Sequence, residues 1–144
     1  MPGYHDSLSD SALVSLDIAA QIASANVNGT AMDMQGWDGC LFVFNLGTMV
    51  ASATFDARIV SSANANMSGA TNITNAVITQ VLAATGGSNS YHIDVWRPTN
   101  RYIRSATQPA TANTTFSSVA IRYRATGILP VTQTALQTVR VAVN

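Results

Sequence analysis

"VSLDIAAQI", residues 14–22, decides the fold class. Val14, Leu16, Ile18, Ala20 and Ile22 alternate with Ser15, Asp17 and Gln21, and a period of two belongs to a half-buried strand. The alternation places the aliphatic set on one face and Asp17 on the other. The same period returns in "ATFDARIV", residues 53–60, with Phe55, Ala57 and Ile59 opposite Asp56 and Arg58. In "FSSVAIRYRA", residues 116–125, it points Val119, Ile121 and Tyr123 inward and Arg122 and Arg124 outward. "CLFVFNLG", residues 40–47, is apolar on both faces, as a central strand must be. "AVITQVLA", residues 76–83, is apolar and β-branched, and "TVRVAVN" at 138–144 supplies a last strand with Val139, Val141 and Val143 inward and Arg140 out.

Turn chemistry separates these runs. Asn28-Gly29 is a strong hairpin signal, because both central positions of a type I′ turn need positive φ. "QGWDG" at 35–39, "GGSNS" at 86–90 and "QPATANTT" at 108–115 read as turns or loops, and 61–72 as a long polar loop. In "YHIDVWRPTNRYIR", residues 91–104, Tyr91, Ile93 and Val95 oppose His92, Asp94 and Trp96, and Pro98 fits the second position of a type I turn. No stretch shows helical periodicity. The expectation is an all-β protein: an antiparallel, jelly-roll-like β-sandwich of about eight strands with little or no helix. It forms a single domain over 12–144, preceded by a polar arm at 1–11 that has neither the basic nor the apolar region of a secretory signal.

Composition narrows the function. All seven cations are Arg and all seven anions are Asp; Lys and Glu are absent, and the formal net charge is zero. A neutral chain lacks the field that holds nucleic acid, and no apolar run approaches the ~18 residues of a membrane span. Arg offers a planar fork that pairs and stacks at interfaces. Cys40 is read as a small buried hydrophobe. Without Glu, paired acid and base carboxylates are poorly supplied. His92 and Asp94 share a strand face but have no third metal ligand in view, so they read as a cross-strand hydrogen bond or a solvated face. No catalytic residue, metal site or cofactor is expected. The residues suited to docking are Trp96, Arg97, Arg101, Tyr102, Arg104, Arg122 and Arg124, which form one patch if their strands are neighbours.

Two segments carry a resemblance. "DMQGWDGCLFVFNLG" offers Asp33, Gly36 and Trp37 ahead of an apolar strand, and "IDVWRPTNRYIR" ends in Arg101, Tyr102, Ile103 and Arg104. Together they resemble the capsid cement, or decoration, proteins of short-tailed bacteriophages, over roughly residues 12–130. The resemblance implies a jelly-roll-like sandwich, often a homodimer or other homo-oligomer. It implies a protein made in the bacterial cytoplasm that sits on the virion's outer surface and bridges subunits of the major capsid protein. It supplies no catalytic residues. The arm and the 61–72 loop are then candidates for ordering only on the shell. A carbohydrate- or receptor-binding module of the same fold is the alternative.

Overall fold

The computed structural model of the chain describes residues 8–126 and 132–133. A helical turn α1 (Leu8–Ser11) leads into β1 (Ala12–Ala23), the short β2 (Val27–Asn28) and β3 (Met32–Asp33), then the long β4 (Trp37–Met49). β5 (Thr54–Ser62) and β6 (Thr71–Leu82) follow, then a helical turn α2 (Ala83–Gly86), β7 (Ser90–Trp96), β8 (Tyr102–Ala110) and β9 (Thr114–Ala125). Strand occupies 64% of the described residues and helix 7%. The arm's residues 1–7 and the expected strand at 138–144 lie outside the described residues.

All pairings are antiparallel. One sheet runs β1-β9-β4-β7; the other runs β2-β8-β5-β6, with β3 also on β8. Taking β2 and β3 as one interrupted strand, this is the eight-stranded, two-sheet order of a jelly roll. Phe42 and Phe44 of β4 and Phe116 of β9 meet Phe55 and Ile59 of β5 and Ile103 of β8 between the sheets, all at or near zero exposure. Phe55 holds the layers together, its ring centroid 6.4 Å from that of Phe44 and 5.2 Å from that of Phe116. Cys40 is fully buried there, and burial pushes its thiol pKa up to about 12. That thiol is inert packing.

β4 is central, as its composition predicted, and β5 and β7 turn the expected faces inward. β1 and β9 do not. Val14, Leu16 and Ile22 are exposed, while Asp17 is buried beside Ile18. In β9, Phe116, Ser118 and Ala120 face the core and Val119 and Ile121 are only half-buried. The physical reason is Asp17. Its carboxylate accepts hydrogen bonds from Ser118 Oγ of β9, Ser105 Oγ of β8 and the Thr30 N–H at 3.0 Å, tying the two sheets together. Small hydroxyl residues must sit inside to satisfy it, so Val14 and Leu16 of β1 and Val119 and Ile121 of β9 turn to the outer face. Register shifts after Leu16 and after Ile18 accommodate the change of face.

Other local expectations are corrected. Asn28-Gly29 forms no type I′ hairpin, since neither residue has positive φ. Gly29 is required instead by close approach: a Cβ there would lie 2.0 Å from Asp17 Oδ1 and 2.4 Å from Ser105 Oγ. β8 continues through Pro109, where the sequence predicts a loop; its neighbour β2 reaches only Thr107, so no ladder partner misses the proline N–H on that side. The polar loop is shorter, at 63–70, and it is already built. Ser62 Oγ donates to Ser68 O at 2.7 Å, and Met67 is buried.

Candidate docking surface

The inversion of β1 and β9 leaves an unusual outer face on the four-stranded sheet. The registers align Val14, Ile121, Leu41 and Asp94 in one row, and Leu16, Val119, Val43 and His92 in the next. Leu16 is 62% exposed; Leu41, Val43, Val119 and Ile121 are half-buried. The outer face of the other sheet carries Asp56, Arg58, Arg104 and Gln108, and Arg58 donates to Gln108 Oε1. The first face is the richer in aliphatics, whereas the second sets these polar groups beside exposed Val77 and Leu82 of β6.

The aliphatic face ends in an aromatic plate. Tyr123, Gly39 and Trp96 are paired across β9, β4 and β7. Because Gly39 has no side chain, the Tyr123 ring lies over it; a Cβ there would sit 2.3 Å from Tyr123 Cζ. The Tyr123 and Trp96 rings stack with centroids 6.0 Å apart and an interplanar angle of 23°. Tyr123 donates its hydroxyl to Asp94 Oδ1 at 2.6 Å, and desolvation, then that hydrogen bond, pushes its pKa up to about 12. Trp96 remains 47% exposed.

Two guanidinium groups frame this plate. The Cζ atoms of Arg97 and Arg124 each lie 5.4 Å from the Trp96 centroid, and both side chains approach Asp38, at 3.7 and 3.9 Å. Both residues have left-handed backbone, φ 48° and 53°. That conformation is uncommon for residues with a Cβ, and here it breaks the strand alternation so that both forks fold back over Trp96. The Arg97 N–H donates to Asp38 O at 2.7 Å, fixing the first of these turns.

The remaining predicted residues sit elsewhere. β7 and β8 belong to different sheets, so 91–104 is a sheet-to-sheet corner, with Arg97 and Arg101 lining one cleft at its turn and Arg104 on the outer face of the second sheet. Arg101 grips Asp33 bidentately, at 2.9 and 2.7 Å, and lies 5.1 Å from the Tyr102 ring centroid. The two segments that carry the family resemblance thus meet in space. Asp33 also accepts from the Gln35 N–H and Gly36 takes φ 82°, which builds the turn into β4. The Arg101 hydrogen bonds are the main cause holding the Asp33 carboxyl below its usual range. Arg122 is half-buried, donates to Asp33 O at 2.9 Å and lies over Trp37. Burial lowers its pKa. Arg104 is half-buried on the polar face. Between the 34–38 and 97–101 turns lies an open cleft of about 480 Å³, lined by Trp37, Asp38, Arg97, Pro98 and Arg101. Sequence reasoning missed Tyr123, Gly39, Asp38 and Asp94 as parts of the plate. The Trp-Arg dipeptide at 96–97 was the usable signal; the glycine opposite Tyr123 gave none.

Comparison with known proteins gives a fold and no family. No protein-family model and no curated relative matches the chain. Among solved structures it is similar to the PBSX exported protein XepA, with a TM-score of 0.59 and 13% identity over 95% of this chain. The chain spans 45% of XepA's length. Weaker likenesses are to a protein of Bacillus endospore appendages (TM-score 0.49, 16% identity, 79% of this chain and 88% of that one) and to the SPBc2 prophage-derived protein YomS (0.44, 8%, 76% and 92%).

Proposed function

We propose that this chain is a structural protein of a bacteriophage particle that docks on the outer surface of the capsid and bridges neighbouring subunits of the major capsid protein. The observation that carries the reading is the Trp96–Tyr123 plate, framed by Arg97 and Arg124, at the end of an aliphatic sheet face. Interface hot spots combine these ingredients: exposed aromatics with arginine forks beside apolar area. The β-sandwich shared with XepA, an exported protein of the prophage PBSX, supports a phage-associated structural role. Burying the plate against carboxylates or main-chain carbonyls of a capsid subunit would satisfy both guanidinium groups at once.

The carbohydrate-binding alternative has one observation in its favour, an exposed Trp beside Asn75, His92 and Asp94 on an open groove of about 420 Å³. A sugar ring stacks on a bare aromatic face, however, and two guanidinium groups already lie over Trp96. Capsid docking is the better fit. The experiment is binding of the purified protein to phage particles that lack it, beside a glycan array. Saturable occupancy of the particle exterior with no glycan selectivity is expected; selective glycan binding without particle binding would overturn the reading.

A further inference from the structure

We propose that the chain forms a two-fold dimer by pairing β7 with β7 of a second copy, joining the two four-stranded sheets into one. The first argument is the state of the sheet edges. β1 and β6 each carry two register shifts, and β2 and β3 are two residues long each. Bulges and brevity are the usual devices that stop an edge from recruiting another strand. β7 has neither, since its seven residues run against β4 without a shift from Gly39↔Trp96 to Asn45↔Ser90. Among the described residues no strand pairs with its other edge. An open groove of about 420 Å³ lies between it and β6 of the other sheet, lined by residues 73–77 and 92–96.

The second argument is hydrogen-bond parity. In line with that register, Leu46 N–H donates to Asn89 O at 2.9 Å and Arg97 N–H to Asp38 O at 2.7 Å. Antiparallel ladders alternate, so Tyr91, Ile93 and Val95 turn their main-chain groups toward β4. Ser90, His92, Asp94 and Trp96 turn theirs to the free edge, and all four are exposed. A partner copy must therefore meet these residues with the same four.

Parity leaves three central registers: His92 opposite His92, Asp94 opposite Asp94, or His92 of each copy opposite Asp94 of the other. Like groups directly opposite are unfavourable, and an imidazole facing a carboxylate is favourable. The third register also engages the whole strand, setting Ser90 opposite Trp96 with Ile93 on the two-fold axis. The edge is complementary to itself, which is what an isologous dimer requires. A second copy is thus the occupant that β7 specifies. The dimer leaves the Tyr123, Arg97 and Arg124 side of the sheet outward on both copies. Two plates on one rigid sheet would engage a shell with avidity. The pairing itself does not depend on the capsid reading.

Sedimentation equilibrium of the full chain tests it, with a species of twice the 15.1 kDa chain mass expected. His92→Asp and Asp94→His each create like-facing pairs and should weaken the dimer at least about tenfold. An equimolar mixture of the two variants should restore it, since each chain then meets its complement. His92→Pro removes an outward N–H and leaves the β4 ladder intact; it should give a monomer that melts cooperatively. The proposal is overturned by a wild-type chain that stays monomeric up to millimolar concentration, by single variants that dimerise as tightly as wild type, or by a mixture that stays monomeric. Failure of particle binding by an intact dimer would count against the docking role alone.

Discussion

Asp17 shows how one buried carboxylate sets the faces of two strands. It is 5% exposed, and burial raises its pKa against the three hydrogen bonds that lower it. Asp17→Ala leaves the Ser105 and Ser118 hydroxyls and the Thr30 N–H without their acceptor, and should cost about 2–3 kcal/mol in urea unfolding. The pH dependence has an unusual sign. A carboxyl with a raised folded-state pKa contributes stability that is full below its ordinary value of 3.8 and lost as pH rises through the folded-state value. Asp33 acts oppositely: its pKa is lowered, so its contribution is present above 3.8 and lost as pH falls through the folded-state value. Asp17→Asn should therefore gain melting temperature relative to wild type as pH is raised from 4 to 7, whereas the deficit of Asp33→Asn should hold steady over that range and shrink as pH falls below 3.8. Asp33 and Arg101 are well exposed, so solvent screens their pair and its contribution to stability is small. None of Asp17's role was legible in sequence. Its hydroxyl donors lie 88 and 101 residues away, and polarity alternation alone assigns an aspartate to solvent.

At the scale of the element, strand existence was legible and facing was legible only where one face is wet. β5 and β7 alternate polar with apolar, and their faces follow that alternation. β1 and β9 carry Ser or Asp inside and aliphatics outside, so the same rule returns the opposite face. The inversion has a direct test. Leu16→Ala should change stability by about 0.5 kcal/mol or less, whereas Ile18→Ala, from a residue 3% exposed, should cost about 2–4 kcal/mol. Equal costs for the two would restore the simple alternation. Gly39→Ala probes the plate within β4. The added Cβ displaces the Tyr123 ring from Trp96 and should alter tryptophan fluorescence at a cost of about 1–3 kcal/mol. The fluorescence of the wild-type plate retained in that variant would contradict the packing described.

For the whole molecule, the sandwich was visible in the spacing of strands and turns, and the strand order was not, because a jelly roll pairs strands far apart in sequence. β1 lies on β9 and β4 on both β7 and β9. That order separates Arg97 and Arg124, which converge on Trp96, from Arg101 and Arg122, which brace the Asp33 corner. Under the proposed docking role, Arg97 and Arg124 would contact the shell, while Arg101 and Arg122 hold the Asp33 corner. The decisive measurement is occupancy of particles lacking the protein by an Arg97→Ala, Arg124→Ala double variant whose melting temperature matches wild type. Loss of about 2 kcal/mol or more of binding, roughly thirtyfold in affinity, is the predicted result. Wild-type occupancy by that variant would contradict it.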